Sequence, residues 1–385
     1  MPTDDRQNPL PLPHEPSAEP VLGAPAAADR LDPARMLSTA ALDRRAVDRE
    51  RTDLRPSAQR SLVLRGGRLP MAAGRLVLAD RAALGSIPQD PARPEVYLGE
   101  IPAETDAPDA AVLDAEDGTR PGRWGVTVVS LDLSHTALQD STHGVVDETQ
   151  EPLQRIERAV ERAARETGAG EVQWTDLRHA AASLLGTSAV DESLAVAAQA
   201  ITAWHLDHPR CPRCGDLTEV GRSGWLRRCP QDGSMHFPRT DPAVIVTVTD
   251  GEPGSEDERL LLGRAAAWPE HRYSTLAGFV EPGESFELAV VREIREESGA
   301  IVGDVRCLGS QPWPFPRSLM IGCTARLLGG DVAPDGEEIV DLRWFTRRRL
   351  REAVDGAEIR LPGRISIARA LIEHWYGGDL PESDW

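Results

Sequence analysis

The chain has 385 residues and a formal net charge of −19, from 62 acidic and 43 basic side chains. This length exceeds the usual size of one domain and predicts two or three units. The charge disfavours duplex DNA and membranes as partners, because both would repel an acidic surface. No apolar stretch is long enough to cross a bilayer and the N-terminus lacks a signal-peptide pattern, so we expect a cytoplasmic protein.

The first half of the chain carries little catalytic signature. Residues 1–34 are rich in Pro, Asp, Glu and Ala, and this composition predicts a disordered tail. Residues 35–206 are predicted to form a mixed α/β domain. Its predicted elements are a helical pattern at 36–55, strands at 61–64, 76–78 and 124–133, and helices at 154–166 and 191–205.

Residues 207–237 contain two similar knuckles. Cys211-Pro-Arg-Cys214-Gly and Cys229-Pro-Gln-Asp232-Gly are separated by fourteen residues. Three Cys at this spacing predict a structural zinc site in a ribbon-like module. The fourth ligand stays open between Asp232 and His236, and a ribbon that has lost its zinc is a third possibility.

Two further Cys and two His residues are not expected to take part in catalysis or metal binding. Cys307 and Cys323 lie in strand-like surroundings and are expected to be small buried side chains. His205 and His208 precede the first knuckle on a helix end and are expected at the polar surface. Five Cys provide no disulfide framework in a chain this long, which fits a reducing compartment.

From residue 238 the pattern changes to a regular α/β alternation that ends near residue 377, before a short tail at 378–385. The predicted elements of this domain are strands at 243–249, 259–263, 274–279, 318–327 and 340–345, and helices at 285–298 and 365–376.

One helix of this domain carries clustered carboxylates. A Pro-Gly turn in Gly278–Glu284 leads into it. Glu296 and Glu297 follow Glu293 by three and four residues, so the three carboxylates share one face. A solvated acidic face would explain two such residues alone. Arg292, placed four residues before Glu296, adds a cation that can orient it. Clustered hard oxygen ligands suit Mg²⁺ or Mn²⁺, which also hold substrate phosphates.

This stretch resembles the Nudix box, G-x5-E-x7-R-E-U-x-E-E-x-G-U, where U is a bulky aliphatic residue. Every defined position matches except the last, which is Ala300. The resemblance implies that Arg292 and the three glutamates form the catalytic set. Glu293 and Glu297 would bind the metal directly, and Glu296 would ligate or assist.

Two further oxygen ligands are implied by the same resemblance. The carbonyl of Ala277, just before the box, is one. A later loop often adds a carboxylate, for which Glu338 is the candidate. The alternative for Glu338 is a solvated acidic turn shared with Glu337.

A Pro-aromatic segment lies downstream at 310–318. Its three Pro residues alternate with aromatic residues and impose an extended, stiff backbone. Such a segment could be a buried loop or a Pro-rich motif that binds a partner. Rigid aromatic residues flanked by polar side chains could instead bind a flat ring of a ligand and its polar edge. The segment is similar to the Q-P-W-P-F-P-x-S array of NADH pyrophosphatases. The implied substrate-binding residues are Gln311, Pro312, Trp313, Pro314, Phe315, Pro316, Arg317 and Ser318.

The resemblance continues in residues 237–245 and 366–372. It adds Phe237, where the family usually has Tyr, as a base-stacking residue. It also adds Ala368 as a backbone contact to the substrate. Core packing is the alternative for both residues.

The family resemblance implies an α/β (α+β) fold, with a Nudix α/β/α sandwich, a zinc-ribbon-like module and an N-terminal mixed α/β domain, commonly as a homodimer. The implied reaction is hydrolysis of NADH or NAD to AMP and nicotinamide mononucleotide with Mg²⁺ or Mn²⁺, beside a structural Zn²⁺. Removal of NAD caps from RNA 5′ ends uses the same bond. The alternatives are an ADP-ribose pyrophosphatase and a non-catalytic NAD or ADP-ribose sensing regulator. The intact carboxylates disfavour the regulator.

Overall fold

The computed structural model describes residues 30–32, 41–87, 90–102, 123–131, 150–185 and 187–382. Most of the predicted tail at 1–34 lies outside these residues. So does the start of the helical pattern at 36–55. The described part of that pattern is a 3₁₀ turn (Ala46–Asp48) and the start of a short helix, so the expected continuous helix is wrong there. Asp43 instead pairs with Glu100 in a β-bridge, which holds the backbone extended.

The first part of the chain forms two small sheets covered by helices. The sheet orders are β4-β1-β6-β5 and β3-β2-β7, and β1 runs parallel to β6. The elements are α1 (Leu54–Ser57), β1 (Arg60–Arg65), β2 (Leu69–Ala72), β3 (Arg75–Leu76), β4 (Leu78–Asp80), α2 (Arg81–Leu84), β5 (Val96–Pro102), β6 (Arg123–Leu131), α3 (Gln150–Glu166), β7 (Gln173–Thr175), α4 (Leu177–Leu184) and α5 (Ala189–Asp207).

Helical spacing explains how α3 joins this part. Ile156 and Val160 are four residues apart on its apolar face, and they pack against Val63 and Val129 of the larger sheet. A second core lies among α4, α5, β1 and β5. Neither α4 nor β5 was predicted.

A three-stranded antiparallel ribbon follows, in the order β10-β9-β8. Its strands are β8 (Glu219–Gly221), β9 (Leu226–Arg228) and β10 (Met235–His236).

The last part of the chain is built on a six-stranded sheet of order β14-β15-β11-β12-β16, with β13 paired to β11. Strands β11 and β15 are parallel, and the other pairs are antiparallel. The elements are β11 (Asp241–Asp250), β12 (Arg259–Ala265), β13 (Leu276–Phe279), α6 (Phe286–Ser298), β14 (Ala300–Trp313), β15 (Ser318–Gly330), β16 (Ile339–Thr346), α7 (Arg347–Asp355) and α8 (Ile367–Tyr376).

The two faces of β11 show how the layers are arranged. Val244 and Val246 pack in one core with Val290 of α6. Ile245, between them, packs instead with Leu371 of α8, because successive strand residues point to opposite faces. Helices therefore cover both faces of the sheet, which confirms the predicted α/β/α sandwich.

Strand β14 is not among the predicted strands. It extends through Trp313 and pairs with β15, so the start of the extended segment at 310–318 is part of the sheet. Its Pro312 is tolerated because β14 is an edge strand, where one side of the backbone needs no donor. Cys323 on β15 is buried as predicted, whereas Cys307 on this edge strand is exposed, so that prediction is wrong. Within the described residues, no helix is both long and apolar enough to cross a membrane.

Candidate functional site

The carboxylate helix α6 is fixed at both ends and along its inner face. Ser285 caps the N-terminus by accepting a hydrogen bond from the backbone of Leu288, and Gly299 ends the helix in the left-handed conformation. Ala289, Val290 and Ile294 are fully buried against the sheet. The helix is therefore rigidly supported, and Glu293 and Glu297 lie on or next to its buried face, whereas Glu296 is exposed.

Arg292 connects the turn to the helix. Its guanidinium donates to both carboxyl oxygens of Glu284, at 2.9 and 2.8 Å, and to the Phe279 carbonyl at 2.8 Å. It also pairs with Glu293 at 2.8 Å and, more loosely, with Glu296 at 3.4 Å. The hydrogen bonds with Arg292 hold the pKa of Glu284 below its usual range. Arg292 is thus a positioning residue for the turn and for Glu293, and only secondarily for Glu296.

The glycine that opens the box makes room for a carboxylate. A Cβ atom at Gly278 would overlap the carboxyl group of Glu293. Glu293 is itself mostly buried, with 16% of its side chain exposed. Only a residue without a side chain lets the strand β13 lie this close to the Glu293 carboxylate.

Glu297 has the most perturbed environment of the carboxylates. It is 6% exposed, and its Oε2 has no hydrogen-bond partner among the residues that the structure describes. Burial, and then the charges of Glu293, Glu338 and Asp335, raise its pKa to about 8, although a hydrogen bond from the backbone of Ala277 opposes the rise. A buried, unpaired carboxyl oxygen among like charges is the arrangement that a bound cation relieves.

The loop after β15 brings a further carboxylate to this site. Asp335 Oδ1 accepts hydrogen bonds from the backbone N–H groups of Glu337, Glu338 and Ile339, and its own N–H donates to the Glu297 carbonyl at 3.3 Å. Glu338 is exposed, but its charge acts on Glu297. Sequence reasoning missed Asp335, although the Asp-Gly pair at 335–336 is a turn signal.

This group of carboxylates is the candidate for the divalent cation site. The charges of Glu293 and Glu338 both act on Glu297, whose Oε2 has no hydrogen-bond partner among the described residues. Glu296 differs from the others because 64% of its side chain is exposed. Oxygen ligands of this kind suit a hard ion such as Mg²⁺ or Mn²⁺.

A cavity of about 1060 Å³ adjoins this carboxylate cluster at Ala277, which lines the cavity and also donates to Glu297. Gln311, Trp313 and Ala368 line it as well. The Gln311 amide is fully buried: it donates to the Ile365 carbonyl and accepts from the backbone of Ile367, both at 2.7 Å. Gln311 therefore holds the wall of the cavity in place.

The rest of the Pro-aromatic segment lies around the cavity or beside it. The rings of Trp313 and Phe315 meet edge to face with centroids 5.0 Å apart. Arg317 points elsewhere and pairs with Asp207 at 2.5 Å and Asp241 at 3.2 Å. The residues of the segment that do not line the cavity are Pro312, Pro314, Phe315, Pro316, Arg317 and Ser318.

Phe237 also lies outside the cavity lining. Its side chain is 53% exposed and has the guanidinium of Arg222 over its ring at 6.0 Å. The structure thus brings Gln311, Trp313 and Ala368 together but leaves Phe237 apart from them.

The second cluster of metal-type ligands is in the ribbon. The ligand atoms of Cys211, Cys214, Cys229 and Asp232 all lie within 4.8 Å of one another. The Cys214 and Cys229 sulfurs are 3.5 Å apart, and Cys211 Sγ is 3.7 Å from Asp232 Oδ2. Hydrogen bonds from Ser234 hold the pKa of Asp232 well below its usual range, so this carboxylate is ionised and ready to ligate. Three sulfurs and one oxygen at this spacing fit a tetrahedral Zn²⁺ site.

His236, the other candidate for the fourth ligand, hydrogen-bonds with Cys211 but is not in the group of ligand atoms that lie within 4.8 Å of one another. Its Nε2 contacts Ser234 Oγ at 3.1 Å, and Ser234 in turn bonds to Asp232 at 2.6 Å. The geometry therefore favours Asp232 over His236.

His205 is not at the surface, contrary to the prediction. It is buried, with Nε2 donating to the Gly224 carbonyl at 2.8 Å and Nδ1 accepting from Arg227 at 2.7 Å. Burial lowers its pKa to about 4, so the ring is neutral. The buried guanidinium of Arg227 also reaches the Pro91 carbonyl. His205 and Arg227 thus connect α5 and the ribbon with residue 91 in the first part of the chain.

Comparison with known families agrees with this architecture. Residues 239–361 match the sequence model of the NUDIX domain, and residues 206–237 match that of the NADH pyrophosphatase zinc ribbon domain. Residues 206–361 therefore match a zinc ribbon followed by a Nudix domain. The pairing of these two domains confirms the resemblance to the NADH pyrophosphatases of the Nudix superfamily.

Individual proteins are similar over the same region. The chain is 48% identical over 196 residues to the NAD-capped RNA hydrolase NudC of Mycobacterium bovis, a match that covers 47% of this chain and 59% of that protein. It is 37% identical over 204 residues to the NAD-capped RNA hydrolase NUDT12 of Homo sapiens, covering 50% and 43%. A NUDIX hydrolase structure from Nitrosomonas europaea is similar with 24% identity and a TM-score of 0.31, covering 36% of this chain and 78% of that one. The match thus spans less than two thirds of either of these curated relatives.

Proposed function

We propose that this protein hydrolyses the diphosphate bond of NADH or NAD to give AMP and nicotinamide mononucleotide, and that it also removes NAD caps from RNA 5′ ends. The observation that carries the proposal is the buried Glu297 carboxylate, whose Oε2 has no partner among the described residues, beside a cavity large enough for a nucleotide. The similarity to two proteins named NAD-capped RNA hydrolases supports this choice of substrate over ADP-ribose.

In this proposal Glu293, Glu297, Glu338 and the Ala277 carbonyl hold Mg²⁺ or Mn²⁺. A bound divalent cation supplies neutralisation of the diphosphate charge and acidifies a coordinated water. Glu296 is exposed and hydrogen-bonded to Arg292, so it is placed to accept a proton from the attacking water.

The remaining residues act on the nucleoside part of the substrate. Trp313 offers a flat apolar surface within the cavity for a base. Gln311 fixes the start of α8, where Ala368 lines the same cavity. We keep the other residues of the Pro-aromatic segment and Phe237 as proposed substrate contacts made when the substrate is bound.

Several broader features belong to the same proposal. The division of the chain into a tail, an N-terminal domain, a ribbon, a Nudix domain and a short C-terminal tail follows the boundaries that the sequence predicts. Zn²⁺ on Cys211, Cys214, Cys229 and Asp232 has a structural role. We also propose that the protein is cytoplasmic and forms a homodimer.

The test combines a substrate comparison with a variant. Pure protein with Mg²⁺ or Mn²⁺ is incubated with NADH, NAD, ADP-ribose or NAD-capped RNA, and the products are weighed by mass spectrometry. We expect Glu297→Gln to lower turnover by ~10²-fold or more, because electrostatic stabilisation carries most of this chemistry. The matched control is Glu337→Gln, which removes an exposed acid on the nearby loop and should leave turnover unchanged. Full activity of Glu297→Gln would refute the site, and cleavage of ADP-ribose alone would refute the substrate.

A further inference from the structure

Two cysteines outside the ribbon face each other across neighbouring strands of the Nudix sheet. Cys307 of β14 and Cys323 of β15 are direct partners in the antiparallel register, and both are free thiols. Directly opposed residues send their side chains to the same face, with Cβ atoms about 4.5–5.5 Å apart. A disulfide requires a Cβ separation of about 3.5–4.5 Å. The Cys323 thiol is already in hydrogen-bond contact with the sulfur of Cys307, so a small approach of the strands is enough to join them.

The two thiols differ in their access to solvent. Cys307 is exposed, whereas Cys323 is fully buried in the core with Val246 and Val290. Burial, and then the charges of Cys307 and Glu287, raise the pKa of Cys323 to about 12, so this thiol keeps its proton at neutral pH. A reagent in solution therefore meets Cys307 first. Cys323 can react only with a group that Cys307 has already taken up.

The strand that carries Cys307 has room to move. β14 lies at the edge of the sheet and, in the described part of the chain, has β15 as its single neighbouring strand. Its register with β15 also shifts between Cys307 and Gly309, so Leu308 has no partner on β15. This part of β14 can therefore approach β15 without breaking a second ladder of strand hydrogen bonds.

We propose that Cys307 and Cys323 are a thiol modification site that closes to a reversible cross-strand disulfide. The oxidant is a low-molecular-weight disulfide, RSSR. Cys307, as its thiolate, attacks one sulfur of RSSR, so that a mixed disulfide forms and one RS⁻ leaves. Cys323 then gives up its proton to a solvent base, attacks Cys307 Sγ and releases the second RS⁻. The cysteines together lose two electrons and two protons, and RSSR is reduced to two RSH.

The site suits a redox response rather than a permanent structural bond. Disulfides in reducing compartments are mostly transient, and bonds that are strained or open to solvent are the ones that thiols reduce readily. Here one of the two sulfurs reaches solvent, because Cys307 is exposed. The bond also ties β15 to the strand that carries Gln311 and Trp313 of the cavity wall, four and six residues further on.

The test maps disulfides in the folded, zinc-loaded protein after treatment with oxidised glutathione. Free thiols are then blocked with iodoacetamide, and the protein is digested with trypsin without reductant. Cleavage after Arg306, Arg317 and Arg326 places the two cysteines in separate peptides, 307–317 and 318–326. We expect mass spectrometry to find these two peptides linked, and the link to disappear after treatment with dithiothreitol. A non-reducing gel should show the oxidised protein as a single chain.

Two variants separate the steps of the reaction. Cys323→Ser lacks the second thiol, so the reaction should stop at a glutathione adduct on Cys307. Cys307→Ser lacks the exposed thiol, so Cys323 should stay unmodified because the core shields it. Serine is close in size to cysteine, and melting temperatures close to that of wild type show that both variants fold.

Several results would overturn the proposal. Wild type that stops at the glutathione adduct, as Cys323→Ser does, shows that Cys323 does not close the bond. Peptides 307–317 and 318–326 that both stay unmodified show that the pair is inert. Modification of Cys323 in the folded Cys307→Ser protein contradicts the order of attack. A link found only between two chains on the gel shows that the bond is not a cross-strand one.

Discussion

Replacing Glu297 with Gln in the metal-free protein should stabilise the fold, and more so as the pH rises. The side chain is 6% exposed, and burial with three nearby carboxylates raises its pKa from 4.5 to about 8. Since the folded-state pKa lies above the unfolded one, ionisation opposes folding. Below about pH 4.5 the ionisation of Glu297 does not change the free energy of unfolding. Above that pH it lowers the free energy of unfolding by ~1.4 kcal/mol per pH unit, and the loss levels off near pH 8. The variant should therefore gain about 3 kcal/mol at pH 7.

The assay is urea unfolding followed by circular dichroism, with divalent ions removed, at several values between about pH 5 and pH 8. Glu296→Gln makes the same change of charge on the same helix, but 64% of that side chain is exposed to water. Its effect should stay within ~0.5 kcal/mol at every pH. If Glu297→Gln is no more stable at pH 8 than at pH 5, or if Glu296→Gln gains as much, the environment inferred for Glu297 is wrong.

Two other changes test the two clusters of ligands. Gly278→Ala should lower turnover with NADH by ~10²-fold, because the added Cβ displaces the Glu293 carboxylate. The melting temperature should change little, since the Cβ does not enter the core. An unchanged kcat would contradict this prediction. Asp232→Cys should slow the loss of zinc to a chromogenic chelator, because a thiolate is a softer ligand than a carboxylate; faster loss would mean that Asp232 is not a ligand.

Local sequence signals predicted the carboxylate helix well. The predicted span at 285–298 differs from α6 by one residue, and that residue, Ser285, is the N-cap. Turn, cap, apolar face and ligand spacing all lie within about twenty residues, so a single stretch of sequence contains the information. The same is true of the knuckles that hold Cys211 and Cys229.

Features that depend on long-range packing were not predictable in this way. His205 carries no sequence mark of burial, because its partners Gly224 and Arg227 come from the ribbon. Arg178 of α4 lines the cavity, and Ala181 of the same helix packs against Ile365, which is 184 residues later in the chain. The Pro content of segment 310–318 predicts an extended, stiff backbone but no strand pairing, because the edge position of β14 that accommodates Pro312 is a property of the whole sheet.

The charge pairing around α6 is the strongest reason to regard the site as functional. Every basic residue of this chain is an arginine, and Arg292 already pairs with Glu284, Glu293 and Glu296. A purely structural carboxylate at Glu297 would gain stability from a similar partner, yet its Oε2 has none in the described part of the chain. A fold keeps such a local conflict where a ligand resolves it. The charges of Glu293, Glu338 and Asp335 all oppose ionisation of Glu297, so a bound cation is the kind of ligand that would stabilise its ionised form.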